Sequence, residues 1–400
     1  MKVYRQMKRK NYSMRAESNK SKKSKSKMKW YTPVKVFFYS FFAAITGFFA
    51  LLFIASAYSD FISPENSVFF AYLGLLFPYF FVINLFFLAY WVIAKKWLIS
   101  FILLATFAIC WKPFTVYCPI HLKTKDLPKE ELIKALSYNV MSFAYKNHTK
   151  EEPNKIIQFI AESDADIVCL QEYMVSARPN LMSSKDVAEA LPMYPYIAEI
   201  FFSLPENKNH KYGLALLSKF PILSSRKLSF LSSRYNGSSI HKINVRGKIV
   251  TVINNHLESF KLTAEDRSKY SDMIAHINFE SFDEFRGAIQ QKLGQAFRIR
   301  AKQAEKIAGE IHDADGTYTI VCGDFNDTPI SYARRKILGS LADAYSETGL
   351  GMGISYNQNF FYFRIDHIFH SINMEAYNCC VDTRIKLSDH YPIYCYLRLK

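Results

Sequence analysis

Long uncharged stretches of apolar residues in the first quarter of the chain restrict its fold more than any other feature. Residues 36–58 and 68–94 contain no charged side chain, and each exceeds the ~20 residues that an α-helix needs to cross a bilayer. A third apolar stretch, 97–115, follows a pair of lysines at 95 and 96. Because backbone polar groups inside lipid must be satisfied within the chain, these stretches must be helical. We therefore predict a multi-pass membrane protein with about three transmembrane helices at these positions.

The segment before the first apolar stretch is strongly basic. Residues 1–29 carry twelve lysines and arginines against one acidic residue, Glu17, for a net charge of +11. A cleaved signal peptide is the alternative for such a beginning, but the basic region is too extended, the apolar stretch is too long, and further apolar stretches follow. Residues 1–30 are also too poor in apolar side chains to offset the entropy of folding, so we predict a disordered tail.

The distribution of lysine and arginine predicts the orientation of these helices. Basic segments remain on the cytoplasmic side of a membrane, which places the tail and the lysine pair in the cytoplasm. Residues 59–67 hold two acids and no basic residue, so this loop should lie outside. Three spans then put the rest of the chain on the outer, periplasmic side of an inner (cytoplasmic) membrane. If the third stretch did not span, the rest of the chain would be cytoplasmic.

Charge and cysteine content restrict the partners of the remaining chain. The whole chain has a formal charge of +16, but residues 116–400 account for only +3. Proteins that grip long nucleic acid usually show a strong basic footprint, so long nucleic acid is disfavoured as a partner. The seven cysteines have no C-x-x-C spacing, which argues against a zinc site.

After a linker at 116–132, the composition changes to that of a soluble domain at 133–400. Short runs rich in β-branched and aromatic residues predict strands; the runs are LIKALSYNV, ADIVCLQEY, YGLALLSKFPI, KIVTVINNHLE, YTIVCGDFN, FYFRIDHIF and YPIYCYLRL. Between the strands, 149–163 and 294–312 place apolar residues at helical spacing. The pattern predicts an α/β or α+β domain.

Several predicted strands end in polar side chains that a hydrophobic core would not use. These residues are Asn139, Glu172, His256, Asp324 with Asn326, Asp366, and Asp389 with His390. Strand ends and loops positioned by a rigid sheet are a usual location for a functional site. Carboxylates and amides without a thiolate suit Mg²⁺, Mn²⁺ or Ca²⁺, and histidines add what attack on a phosphoester requires. The G-x-S-x-G, P-loop and G-x-G-x-x-G signatures of acyl transfer and nucleotide chemistry are absent.

Six motifs carry a resemblance to a known family. In chain order they are SYNV, DIVCLQE, NNHLE, GDFNDTP, RIDHIF and SDHYPI, and they resemble those of the endonuclease/exonuclease/phosphatase superfamily. This superfamily includes DNase I-like nucleases, sphingomyelinases and inositol-polyphosphate phosphatases. The resemblance covers about residues 133–400 and implies an α/β four-layer sandwich, with two mostly antiparallel sheets flanked by helices. The membrane-anchored layout is similar to that of bacterial members.

The resemblance also implies a metal site. Glu172 would be the main ligand of a Mg²⁺ (or Mn²⁺) ion, and Asn139 and Asp389 would complete the site directly or through water. Neighbouring residues of a strand point to opposite faces, so Asp389 and His390 could both face the metal only if the chain turned there.

Catalytic roles follow from the same resemblance. Asp324 would orient and activate the attacking water, and Asn326 would hold a phosphoryl oxygen. His256 and His390 would donate to the phosphate. Asp366 would pair with His390 and fix its tautomer.

Other polar residues close to these motifs are interpreted as structural. Asp327, directly before a Thr-Pro pair, is expected to cap a helix or stabilise a turn. His367 should point to the strand face opposite that of Asp366. Arg298 and Arg300 are expected on a solvated helix face, and contact with an anionic substrate is the alternative for one of them.

Taken together, the sequence predicts a membrane-anchored, divalent-metal-dependent hydrolase that cleaves a phosphodiester or phosphomonoester by metal-assisted attack of water. Near-neutral charge and membrane attachment favour a lipid-linked or small phosphate ester as substrate over long nucleic acid. An extracytoplasmic nuclease is the alternative enzyme. A non-catalytic, membrane-bound binding module on the same fold is the alternative of another class, although the complete set of polar residues argues against it.

Overall fold

A computed structural model of the 400-residue chain describes residues 31–128, 132–149, 151–178, 180–202, 209–230, 235–260, 279–314, 318–358 and 361–400. The predicted disordered tail, 1–30, lies outside the described residues. Within the described part, a group of N-terminal helices packs against a sandwich of sheets and helices.

The apolar first quarter is helical. Helix α1 (Tyr31–Ala57) is long and apolar enough to cross a membrane by itself. The second and third predicted spans are each broken: α2 (Val68–Leu75) and α3 (Phe77–Ile93) meet at 60°, and α4 (Trp97–Ile109) and α5 (Trp111–Tyr117) meet at 55°. The described helices therefore provide one candidate span, or up to three if each bent pair counts as one span.

Aromatic contacts hold α1 antiparallel to α3. The ring of Phe42 lies 4.7 Å from that of Tyr90, and the ring of Phe53, closer to the end of α1, lies 5.6 Å from that of Phe77. Pro78 occupies the first turn of α3, where its missing N–H leaves no helical hydrogen bond unmade. The break between α2 and α3 therefore comes directly before the proline.

The C-terminal part is a sandwich of two mixed sheets. Its described strands are β1 (Leu132–Asn139), β2 (Ile167–Ser176), β3 (Tyr196–Phe201), β4 (His210–Ser218), β5 (Ile222–Ser229), β6 (Gly237–Val245), β7 (Lys248–His256), β8 (Tyr318–Asp324), β9 (Ala342–Asp343), β10 (Tyr356–Gln358), β11 (Phe361–Phe363), β12 (Asp366–His370), β13 (Met374–Val381) and β14 (Ile393–Leu399). The first sheet has the order β13-β14-β1-β2-β4-β3 and the second β5-β6-β7-β8-β12-β9, while β10 and β11 form a hairpin. In each sheet one neighbouring pair is parallel, β1 with β2 and β7 with β8, and the others are antiparallel.

Helices cover the outer faces of the sheets. They are α6 (Lys155–Glu162), α7 (Ser184–Ala190), α8 (Phe279–Asp313) and α9 (Tyr332–Leu338). The short helix α10 (Ala344–Thr348) instead contributes Ala344 and Tyr345 to the core between the sheets. Apolar residues of α6 and α7 share a core with the first sheet, and those of α8 and α9 share one with the second. A further core fills the space between the sheets. These layers confirm the predicted sandwich of two sheets flanked by helices.

Candidate active site

The alternation of residues along four strands brings their last polar side chains to one edge of the space between the sheets. The core between the sheets contains alternate residues of β1, β7, β8 and β12. Because side chains return to the same face of a strand every second residue, this face also receives four buried residues at the strand ends, Asn139, His256, Asp324 and Asp366. Strand pairing sets His256 opposite Asp324 and Asp324 opposite Asp366. We call this group of strand ends the site edge.

Glu172 reaches the site edge through a bulge in β2. Between Leu170 and Tyr173, β2 contains one residue more than its partner β4, so the register shifts. Glu172 has a φ of 49°, a left-handed conformation that is strained for a residue with a side chain. Bulges of this kind re-aim side chains next to active sites. Here Gln171 faces the second sheet, and Glu172 turns toward Asn139.

Asn139 lies between two carboxylates. Its Nδ2 donates to Oε1 of Glu172 at 3.2 Å and to Oδ2 of Asp324 at 3.1 Å, while its Oδ1 accepts from the backbone N–H of Met141 at 3.1 Å. Residues 141–145 all have φ between 43° and 56°, a strained left-handed turn directly behind the amide. The amide thus gives each acid a donor and separates two groups of like charge.

The second part of the site is a carboxylate–imidazole pair. Nδ1 of His390 lies 2.8 Å from Oδ2 of Asp366, and Nε2 of His390 lies 3.5 Å from Oδ2 of Asp324. These three buried residues offer possible metal-ligating atoms within 4.8 Å of one another. Nε2 of His256 is 3.8 Å from Oδ2 of Asp324 and 3.8 Å from Oε1 of Glu172. Two imidazoles therefore flank the Asp324 carboxylate.

Burial and neighbouring charges set the protonation of this group. Burial, opposed by the His390 and His256 imidazoles, raises the pKa of Asp324 to about 6. Burial disfavours the charged form of His390, but the Asp366 and Asp324 carboxylates outweigh it and raise the pKa of His390 well above its ordinary value. Burial lowers the pKa of His256. Near neutral pH, His390 is therefore cationic, His256 is neutral, and Asp324 is mostly ionised with a pKa close enough to neutral to accept a proton.

Asp389 joins the site from the segment before β14. The hydroxyl of Ser388 donates to the backbone carbonyl of Asn139 at 2.7 Å and accepts from the N–H of His390 at 3.1 Å. Residues 387–389 form a bend rather than a strand. This bend meets the condition under which Asp389 and His390 can face the same site. The half-buried Asp389 is close enough for its charge to raise the pKa of His390 as well.

The turn after β8 places Asn326 beside Asp324. The backbone N–H of Asn326 donates to Oδ1 of Asp324 at 2.8 Å, and its Nδ2 donates to the carbonyl of Leu257 at 3.0 Å. Asn326 has a φ of 51°. Gly323 has a φ of 132°, and a Cβ there would lie 2.0 Å from the carbonyl oxygen of Asn255. Glycine before Asp324 is therefore required by both its backbone conformation and the close approach of β7.

The donor chemistry at the site edge fits a hard divalent cation. The carboxylates of Glu172 and Asp389 and the amide of Asn139 provide oxygen atoms, which Mg²⁺ and Mn²⁺ prefer. The Glu172 side chain is 27% exposed, so the site can be reached from solvent. Oδ1 of Asp366 is buried and has no hydrogen-bond partner among the described residues. This buried acceptor at the site edge therefore lacks a donor, which a water molecule could provide.

Two buried amides below the site had been given no role from the sequence. Nε2 of Gln171 in the first sheet donates to Oδ1 of Asn254 in the second at 2.7 Å, and Nδ2 of Asn254 donates to the Leu170 carbonyl at 3.1 Å. Gln171 lies in the motif DIVCLQE and Asn254 in the motif NNHLE. An amide next to an apolar run is the sequence feature that could have indicated a buried polar contact. The ring of Tyr356, also not predicted, lies 5.1 Å from that of His390.

Two structural predictions near the site were wrong in part. Asp327 is not a helix cap, because the side chain of Ser331 caps α9. Asp327 instead accepts from the N–H of Thr328 at 3.0 Å and pairs with Nε of Arg300 at 3.1 Å. Arg300 is fully buried rather than solvated, because this carboxylate and the Phe260 ring, 4.5 Å away, compensate its charge. His367 does face away from the site edge, with its ring 5.0 Å from that of Phe325.

The arrangement of sheets and helices is that of the DNase I-like class of proteins. The model of the endonuclease/exonuclease/phosphatase family matches residues 136–390, so the chain belongs to this family. Its members are typically hydrolases that act on phosphoester bonds and generally use a divalent metal. Residues 39–117 match a domain of unknown function, DUF8431. No curated protein matches the chain.

Solved structures similar to this chain are distant in sequence. An endonuclease/exonuclease/phosphatase from Beutenbergia cavernae DSM 12333 is 16% identical, with a TM-score of 0.48 over 68% of this chain and 72% of that chain. A family protein from Bacteroides vulgatus is 18% identical, with a TM-score of 0.46 over 68% of this chain and 100% of that chain. Truncated TDP2 from Caenorhabditis elegans is 16% identical, with a TM-score of 0.44 over 67% and 97%.

Proposed function

We propose that this chain is a membrane-anchored phosphoesterase that hydrolyses a phosphodiester or phosphomonoester by metal-assisted attack of water. The observation that carries the proposal is one group of contacts: the His390–Asp366 pair beside Asp324, with Asn139 joining Asp324 to Glu172. A carboxylate with a raised pKa, a cationic imidazole and an oxygen-rich edge are the parts that hydrolysis of a phosphoester needs.

The base in this proposal is Asp324. With a pKa of about 6, it accepts a proton from an attacking water close to neutral pH, where a base is most effective. The backbone N–H of Asn326 donates to Oδ1 of Asp324. The second carboxylate oxygen, Oδ2, faces Asn139 and the two imidazoles. Asn326 is proposed to hold a phosphoryl oxygen on the neighbouring side.

The imidazoles stabilise the phosphoryl group. Cationic His390 is oriented by Asp366 through Nδ1, so its Nε2–H points to the position next to Asp324. Neutral His256 can donate one N–H from the other side of Asp324. Donors held rigidly at the place where negative charge develops lower the barrier without the cost of reorganisation.

Glu172, with Asn139 and Asp389, would hold Mg²⁺ or Mn²⁺. When bound, such an ion neutralises negative charge on the phosphoryl oxygens. Asp366 is not assigned as a ligand, because its Oδ2 already holds His390. Ligation by Asn139 would use Oδ1, which accepts from Met141, or would act through water.

Contacts between the helices and the sandwich support three spans with the catalytic domain outside. The domain packs against residues 59–65 and the end of α5. The lysine turn lies at the opposite end of the bundle, because the Lys96 ammonium is 5.0 Å from the ring of Tyr39, near the start of α1. Since basic segments remain in the cytoplasm, this arrangement favours an outer location for the site.

A lipid-linked or small phosphate ester is the proposed substrate. The near-neutral charge of residues 116–400 does not provide the basic footprint of a long nucleic-acid site. Attachment to the helices keeps the catalytic domain next to the membrane surface, where lipid-borne phosphoesters are concentrated.

Hydrolysis by the purified full chain in lipid nanodiscs tests the proposal. A phosphodiester, bis-p-nitrophenyl phosphate, and a phosphomonoester, p-nitrophenyl phosphate, would be assayed with Mg²⁺, Mn²⁺ or EDTA. Glu172→Ala and Asp324→Asn should abolish turnover, whereas Glu189→Ala and Asp164→Asn, which alter exposed acids, should not. Equal, metal-independent turnover by the wild type and both site variants would exclude the enzyme.

Substrate class and sidedness need separate measurements. Release of head groups from phospholipid vesicles without cleavage of oligonucleotides supports the proposed substrate. Cleavage of oligonucleotides, with binding lost at high salt, supports the nuclease instead, and retention of a phosphoester without turnover supports a binding module. A reporter enzyme that is active only on the outer side of the membrane should be active when it is fused after Lys400.

A further inference from the structure

The loop that follows Asp324 inserts one residue, Ile330, among the N-terminal helices. Ile330, six residues after Asp324, is 3% exposed. It belongs to the apolar core of the helical region rather than to a core of the sandwich; its neighbours in that core are Phe53, Ala57, Leu73, Phe77, Phe80, Cys110 and Tyr117. The helices therefore provide a socket for a residue of the active-site loop.

A glycine allows the loop to enter this socket. Gly74 in α2 lies so close to the loop that an added Cβ would be 2.6 Å from the carbonyl oxygen of Ile330 and 2.5 Å from Oγ of Ser59. The first contact is with backbone, which cannot rotate away. Any side chain at position 74 must therefore displace the main chain at Ile330.

A second tie joins the helices to the strand that carries Asp366. Arg364, two residues before Asp366, is 1% exposed. Its Nη2 donates to the carbonyl of Val116 at 2.6 Å, in the last turn of α5, and its Nη1 donates to the carbonyl of Met352 at 3.2 Å. The guanidinium also lies 4.2 Å from the Tyr345 ring. Carbonyls at a helix C-terminus lack partners within the helix, so this contact satisfies the Val116 carbonyl.

The two ties act on one pair of residues. Asp324 and Asp366 are direct partners across β8 and β12, and the backbone N–H of Phe325 donates to the carbonyl of Ile365 at 2.9 Å. Ile330 holds the chain after the first acid, and Arg364 holds the chain before the second. We infer that the membrane helices are a structural part of the active site, in which Ile330, Gly74 and Arg364 are positioning residues for Asp324 and Asp366.

Other contacts of the same interface involve α8 and α9 rather than these two strands. Lys302 in α8 pairs with Glu65 at 3.0 Å, and Arg335 in α9 pairs with Asp60 at 3.5 Å. These pairs are partly exposed and attach the outer helices of the domain. They can weaken without moving the site, which makes them a control for general loosening of the interface.

The inference rests on the proposed function for its kinetic readout, but it also has a physical one. In full-length protein in nanodiscs, Gly74→Ala should lower kcat for bis-p-nitrophenyl phosphate roughly 10- to 100-fold, with KM unchanged, because a small displacement of catalytic groups has effects of this size. The matched control is Gly47→Ala in α1, where an added Cβ meets no atom within 4 Å. Glu65→Gln is the interface control, and both controls should keep the wild-type kcat.

Hydrogen–deuterium exchange of residues 318–331 tests the positioning role independently of the proposed catalytic function. Gly74→Ala should accelerate exchange there, and Gly47→Ala should not. Wild-type kcat and unchanged exchange in Gly74→Ala would overturn the inference. If the wild type hydrolyses no phosphoester, the proposed function fails, and exchange alone then decides the positioning role.

Milder variants keep the test valid if Gly74→Ala does not fold. Ile330→Val retains a branched side chain in the socket and should keep both kcat and slow exchange. Ile330→Ala empties the socket and should lower kcat with faster exchange at 318–331. Equal behaviour of the two Ile330 variants would overturn the inference.

Discussion

Asp366 and His390 join the two sheets of the sandwich through one hydrogen bond, 2.8 Å between Oδ2 and Nδ1. Asp366 is the first residue of β12 in the second sheet, and His390 precedes β14 of the first. The bond orients the imidazole and keeps it charged. Both the geometry and the protonation of the site therefore depend on the relative position of the two sheets.

Replacing Asp366 by Asn should separate these two contributions. The amide can still approach His390 but no longer stabilises its cation, so the pKa of His390 should fall. We expect kcat to fall roughly 100-fold, and the loss of activity at high pH to begin at a lower pH. A pH profile of kcat/KM measures both effects. Asp164→Asn is the control. If Asp366→Asn lowered kcat/KM equally at every pH without shifting the profile, the electrostatic role would be contradicted.

Replacing Asn139 by Asp tests the spacing of the acids. The new carboxylate would stand next to Oε1 of Glu172 and Oδ2 of Asp324, where Asn139 now donates. Repulsion among the three should raise the pKa of Asp324 further and move the rise of activity with pH to higher pH. Asn139→Ala removes the donor without adding charge and should shift the profile less. Identical profiles for the two variants would refute the spacing role.

The stability of the protein should decrease in mild acid because of His367. Burial lowers the pKa of His367 to about 3 from 6.5, so between these values the unfolded chain binds a proton that the folded chain does not. The free energy of unfolding therefore falls as pH falls below about 6.5, by at most about 1.4 kcal/mol per pH unit for one such group.

Melting temperatures of His367→Gln between about pH 7 and about pH 5 test this linkage. The variant should show a smaller dependence of melting temperature on pH than the wild type. Part of the dependence should remain, because burial also lowers the pKa of His241 to about 4. His312→Gln, at an exposed position, should match the wild type. An unchanged slope in His367→Gln would contradict the assignment.

The buried pair of Arg300 and Asp327 should be strongly coupled. Asp327→Asn leaves the buried guanidinium without its counter-charge, and Arg300→Met leaves a buried carboxylate. Each should destabilise the fold by about 3–5 kcal/mol. The double variant should lose much less than the sum, because no charge remains unpaired. Denaturant unfolding of the four proteins in a double-mutant cycle measures the coupling; strict additivity would show that the pair does not interact. The exposed pair Lys185 and Glu189 is the control.

The sandwich and most of its strands could be predicted because each has a strong local pattern. Runs such as ADIVCLQEY and KIVTVINNHLE are short and rich in apolar and β-branched residues, and β2 and β7 occupy them. FYFRIDHIF was predicted as one strand, but Arg364 interrupts it by turning to the Val116 carbonyl. The partner of Arg364 is 248 positions away, so no local pattern reveals the break.

The members of the site could be named from the sequence, although their roles remain predictions. Their order and residue types indicated a shared edge, and the structure brings Asn139, Glu172, His256, Asp324 and His390 together there. What could not be predicted depends on tertiary context. The burial of Arg300 requires a carboxylate and an aromatic ring brought from other segments.

The bulge in β2 makes the proposed metal site depend on the number of residues in the strand as well as on their chemistry. In an uninterrupted strand, residue 172 would share the face of Leu170, which packs beneath the outer helices. A chain with one residue fewer between Leu170 and Tyr173 would lose the bulge that turns Glu172, the main predicted ligand, toward Asn139. The number of residues at this position of β2, and not only their identity, therefore determines whether a relative of this protein can place the predicted ligand.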